Sequence, residues 1–78
     1  MLQFTLADPT SEFPSKAALT IDPTQRALIK DQTYAFRNLD GGFFLARVDS
    51  VRKAKRTLID RDGCEIIGKL VAWGPKLH

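Results

Sequence analysis

Proline and glycine punctuate this chain, and the apolar runs between them are of strand length. The punctuation falls at Pro9, Pro14, Pro23, Gly41, Gly42, Gly63, Gly68, Gly74 and Pro75, and both residues interrupt regular backbone. Between them lie "AALTI" (17–21), "QTYAFRN" (32–38), "FFLARV" (43–48) and "CEIIGKLVAW" (64–73). Such runs, rich in β-branched and aromatic side chains and bounded by turn residues, predict strands. Within "QTYAFRN" the alternation sends Tyr34 and Phe36 one way and Thr33, Ala35 and Arg37 the other. Asp40-Gly41-Gly42 predicts a hairpin into "FFLARV", because glycine accepts the positive φ of tight hairpin turns. "DPTQ" at 22–25 predicts a turn with φ preset by Pro23. Gly68, inside the last run, predicts a bulge or bend of the kind small barrels use at their corners.

The segment "DSVRKAKRTLI" (49–59) reads two ways. Asp49 or Ser50 can cap a short helix with Val51, Ala54 and Leu58 on one face. The neighbouring strands and the turn chemistry of "DRDG" argue instead for a strand from about Lys53, and that is the expectation here. The fold class expected is mostly β: a small curled antiparallel sheet or partial barrel of about five strands. One domain spans 1–78, with 1–12 as an extended lead-in, 13–73 as the β core and 74–78 as a tail. A chain this short buries only ~60% of its unfolded surface, and oligomerisation is a usual remedy. Disulfides and metals offer none, since Cys64 is the single cysteine and His78 the single histidine, whereas structural zinc takes four ligands. No cofactor is expected. No apolar run nears the ~20 residues of a membrane span, so no membrane partner is expected. "MLQFTLADP" lacks the basic start of a secretory signal, and the cysteine usage fits a reducing cytoplasm.

Candidate chemistry is sparse. Ser11, Ser15 and Ser50 need a base within hydrogen-bond reach to act as nucleophiles. His78, the single histidine, is the last residue. A Ser-Lys dyad is chemically possible, but the lysines are too many to single one out, so ordinary loop serines are expected. The basic cluster Arg52, Lys53, Lys55 and Arg56, with Arg47 nearby, can contact phosphates. The plainer reading is a solvated strand edge or partner surface, where lysines block edge-to-edge pairing. Tyr34, Phe36, Phe43 and Phe44 can stack bases but in so small a domain serve first as core. Cys64 sits beside Glu65, which does nothing to activate a thiol, and reads as a small buried side chain. Trp73 is either a lid on the core or an interface anchor.

Taken in order, these segments resemble the C-terminal domain of LexA-like and lambda-type phage repressors, with its S24 peptidase-like fold, from about Ala7 to Trp73. "EFPSKAALTIDP" is similar to the family's proline-containing loop and the strand ending in Asp-Pro. "ALIKDQTYAFRNLDGG" is similar to the following link and turn, with Asp31-Gln32 in place of the usual Asp-Gly. "FFLARV" occupies the place of the hairpin return, and "EIIGKLVAW" is close to the family's final strand, Ile-Ile-Gly-x-Val-Val-x-Trp.

The departures fall on the catalytic groups. The resemblance puts the nucleophilic serine at Asp8, its methionine at Pro9 and the general-base lysine at Ala46. A second register lays Lys55-Arg56-Thr57-Leu58 over the lysine motif but leaves Asp8 at the serine position. The segment between hairpin and final strand is also shortened, to roughly "DRDG". The resemblance therefore implies a non-catalytic oligomerisation domain of a phage or prophage repressor, not an enzyme, in the cytoplasm of a bacterial host. Its implied partners are further copies of itself and a DNA-binding domain or full-length repressor. The chain is then an expressed fragment or a stand-alone small protein, and in the latter case an antirepressor that caps a repressor's assembly surface. The expected interface residues are Trp73, Val71, Phe43 and Leu45. A small barrel binding nucleic acid through Arg47, Arg52, Lys53, Lys55 and Arg56 is the alternative.

Overall fold

A computed structural model describes residues 1–5 and 17–74 of the chain. Its elements are β1 (Leu2–Thr5), β2 (Ala18–Asp22), β3 (Thr33–Arg37), β4 (Phe43–Arg47), α1 (Val51–Ala54) and β5 (Glu65–Gly74), with α1 continuing as a π-helical segment over Lys55–Arg61. The fold is mostly β. The five strands form one antiparallel sheet in the order β1-β2-β5-β3-β4. The longest apolar run, β5, takes the central place, where strands are covered by neighbours on both sides.

Each sheet face carries its own apolar cluster. Tyr34 and Phe36 turn toward the helix and pack with Leu28, Val48, Ala54 and Cys64. Ala17 and Leu19 pack on the other side with Phe4, Phe43, Leu45 and Leu70. Tyr34, Phe36, Leu19, Ile21 and Val48 are the largest side chains fully removed from solvent, each contributing about 1.5–3 kcal/mol by burial. β1 and β4 are the two ends of the sheet. Yet Phe4 of β1 meets Phe43 of β4 with ring centroids 4.7 Å apart. The sheet is therefore curled until its edges touch through side chains, without backbone closure: a partial barrel, open along one seam.

The turns follow from sequence chemistry. The β3–β4 hairpin is closed by Asn38 N–H to Gly42 O at 2.7 Å and Gly41 N–H to Asn38 O at 3.0 Å. Gly41 takes φ +92°, the left-handed residue that a three-residue hairpin loop needs. After β2, Asp22 accepts from Thr24 N–H at 3.0 Å, Thr24 Oγ1 at 2.6 Å and Gln25 Nε2 at 2.7 Å. These donors, first the Thr24 hydroxyl, then Gln25, then the Thr24 amide, lower the Asp22 pKa from 3.8 to about 2. A depressed carboxylate pKa stabilises the fold above the unfolded value and loses that effect as pH falls through the folded one. Urea midpoints should therefore drop between pH 3.8 and about 2 less steeply in Asp22→Asn than in the wild type. Parallel pH profiles would contradict this.

Gly68 lies where the backbone is most crowded. The β3–β5 register shifts between Ala35 and Phe36, which pair with Gly68 and Ile66, so the predicted bulge is present. A second irregularity in β5 lies opposite Thr20 and Ile21.

Two expectations are corrected. The strand expected from Lys53 is a helix from Val51, ended by Gly63 at φ +68°. Ser50 Oγ caps it by accepting from Lys53 N–H at 3.3 Å, and Thr57 Oγ1 donates to Lys53 O at 2.8 Å. The physical reason is burial: Val51, Ala54, Leu58 and Ile59 all pack on the Tyr34–Phe36 cluster. The helical spacing delivers them to one side, and alternation would not. "DRDG" is accordingly the helix stop. The fifth strand comes instead from Leu2–Thr5, within the stretch read as an extended lead-in.

Candidate functional site

Two surfaces gather the residues singled out by sequence. The first is the far end of β5. Trp73 is 48% exposed, Val71 41% and Leu2, two strands away on β1, 40%. Register aligns Trp73 with Leu19 and Leu19 with Phe4, so these three share one sheet face. Val71 is the extra residue at the β2–β5 irregularity. The neighbouring edge strand, Leu2-Gln3-Phe4-Thr5, carries no lysine, proline or charge, the devices that usually protect an edge from pairing with another chain.

Phe43 and Leu45, expected beside Trp73 at an interface, are half-buried inside the curl against Ala17, Leu19 and Phe4. The structure thus separates the four residues by exposure: Trp73 and Val71, near the end of β5, are partly exposed, and Phe43 and Leu45 help hold the barrel shut.

The second surface is the helix. Arg52, Lys53, Lys55 and Arg56 are all exposed. Among the described residues none of these four forms an ion pair. Arg47, at the end of β4, reaches Asp31 at 3.5 Å, with both side chains more than half exposed, a pairing of little energetic weight. Asp31 holds the left-handed φ of +69°, which aspartate tolerates better than most residues. Arg47, Asp49, Ser50, Lys53 and Thr57 line a recess of ≈ 200 Å³ at the foot of the helix.

Of Asp8, Pro9 and Ala46, the positions that the repressor resemblance makes catalytic, Ala46 alone is among the described residues. Ala46 is half-buried on β4 opposite Tyr34. Asp8, Pro9, Ser11, Ser15 and His78 lie outside the described residues. Ser50 is occupied as a helix cap. Cys64 is buried, its thiol 3.9 Å from Asn38 Oδ1. Among the described residues no group of three or more His, Cys, Asp or Glu is placed to hold a metal ion, and no helix is long and apolar enough to cross a membrane.

One polar anchor escaped the sequence reading. The Tyr34 hydroxyl, beneath the loop between β2 and β3, donates to Ala27 O at 2.8 Å and accepts from Ile29 N–H at 2.9 Å. The only prior signal was a tyrosine where an alternating strand would equally accept phenylalanine. Leu2 was missed with β1. Comparison with protein-family models, curated proteins and solved structures returns no match.

Proposed function

We propose that this chain is a non-catalytic assembly module, the self-associating domain of a phage or prophage transcriptional repressor. Self-association would let paired DNA-binding domains occupy operator sites cooperatively, in the cytoplasm of a bacterial host. The observation that carries the reading is a set of partly exposed large apolar side chains, Trp73 and Val71 on β5 and Leu2 on the uncharged edge strand β1. A tryptophan at a partly exposed apolar site suits an interface anchor, since tryptophan is enriched where binding energy concentrates. An edge that lacks protective charges can be satisfied by the same edge of a second copy, which gives a closed two-fold dimer. The occupant in this reading is that second copy. The resemblance of "EIIGKLVAW" to the final strand of repressor C-terminal domains supplies the biological setting. Alanine at position 46 fits a module from which the Ser-Lys chemistry has gone. A stand-alone chain of this kind would act as an antirepressor by occupying the same surface on a full-length repressor.

Trp73→Ala is expected to weaken self-association by about 2 kcal/mol, roughly thirtyfold in the dissociation constant, by sedimentation equilibrium. The double change Lys53→Ala, Lys55→Ala should leave it intact. The reverse pattern would overturn the assignment of the interface to β5.

A further inference from the structure

The helix that stands where a strand was expected changes what the basic cluster can do. Lysines on an edge strand guard that edge, but these lie on no strand. Arg52, Lys53, Lys55 and Arg56 are all exposed, on the side away from buried Ala54 between them. The apolar residues of the same helix, Val51, Leu58 and Ile59, are spent on the core. The outer surface is left cationic, with no large apolar side chain.

We propose that this surface binds the phosphodiester backbone of nucleic acid without reading base sequence. Arg47, Arg52, Lys53, Lys55 and Arg56 supply the phosphate contacts. The stretch 47–56 sets five cations against one carboxylate, Asp49. Arg47 and Lys53 line a recess together with Asp49, Ser50 and Thr57, so a phosphate there meets two cations against one carboxylate. Ser50 Oγ accepts from Lys53 N–H and keeps its own proton to donate. Thr57 Oγ1 already donates to Lys53 O, so Ser50 supplies the hydroxyl, and cations joined by a hydroxyl are a usual phosphate-contacting set in nucleic-acid complexes. An acidic protein is the poorer fit, because protein interfaces are depleted of lysine at their centres and built on apolar or aromatic anchors, and this surface has none. The inference does not rest on the assembly reading, which uses β1 and β5.

The test is fluorescence anisotropy of the intact chain with labelled duplexes of two unrelated sequences, titrated across salt concentrations. Self-association is followed in parallel by sedimentation, so that the two readings fail separately. With about four of these five cations on phosphates at once the log–log slope should lie near −3 to −4, and affinity should fall about a hundredfold between about 50 and 200 mM salt. Both sequences should bind alike. Lys53→Ala with Lys55→Ala should flatten the slope by about 2, and the matching double change to arginine should restore it. No binding at low salt, or a slope indifferent to the alanine changes, would overturn the proposal. So would polyglutamate competing as well as DNA at equal charge, which would assign the surface to an acidic protein.

Discussion

Gly68→Ala is expected to cost about 3 kcal/mol or more, at the upper end of what overpacking does. A Cβ at this position would press on the carbonyl of Asp22, with the Asp22 carbonyl carbon at 2.8 Å and Ile21 Cγ2 at 2.9 Å. The obstacle is backbone of the adjacent strand, in a sheet whose central strand is already bulged there. A flexible side chain could swing aside, but a hydrogen-bonded carbonyl cannot. A domain of this size has about 4–12 kcal/mol of stability in all, so the variant should be largely unfolded or melt far below the wild type. Gly74→Ala is the matched control, because among the described residues nothing lies within 4 Å of its Cβ position. Its change should stay within about 0.5 kcal/mol. Urea denaturation followed by far-UV circular dichroism reads both, and near-equal effects would refute the crowding at Gly68.

Tyr34 should give the second large effect, in two separable parts. Tyr34→Ala removes a ring with no exposed surface from the centre of the helix-side cluster, at about 3–5 kcal/mol. Tyr34→Phe keeps the ring and removes only the hydroxyl. It leaves Ile29 N–H and Ala27 O without their partner, at about 1–3 kcal/mol. The phenylalanine variant should also loosen the loop, seen as faster amide exchange at Ile29. A neutral Tyr34→Phe, with Ile29 exchange unchanged, would show that packing alone fixes the loop.

Features set by near neighbours were legible in the residues. Asp40-Gly41-Gly42 announced its hairpin because the left-handed backbone at Gly41 leaves glycine as the natural occupant. Gly68 announced a bulge because glycine within an apolar strand has few other uses. Features set by distant contacts were not. "RKAKR" looked like a protected edge because its neighbours on both sides are strands, whereas its helix is held by the packing of Val51, Ala54, Leu58 and Ile59 on β3 and β4. The capping Ser50 and that apolar spacing were visible, but turn chemistry in the flanks outweighed them. β1 carries too little pattern in four residues to declare itself; it is a strand because β2 offers it an edge. Phe43 and Leu45 were expected at an interface, Phe43 also as core, and only the curl of the sheet, which brings β4 across to β1, packs them against Ala17 and Leu19. At the site, exposure of the four helix cations agrees with their residue types. A tryptophan suits a core lid and an interface alike, so the partial exposure of Trp73 was not legible. The separation of Trp73 and these cations onto two surfaces depends on the topology.

The claim that matters most is self-association, and mass in solution tests it directly. Sedimentation equilibrium of the unaltered chain across a wide concentration series should show the average mass rising above that of one chain. The thermal midpoint should rise with concentration, as it does when only the folded state binds a partner. A mass fixed at 8.7 kDa at every concentration, with a thermal midpoint that does not move, would contradict the account.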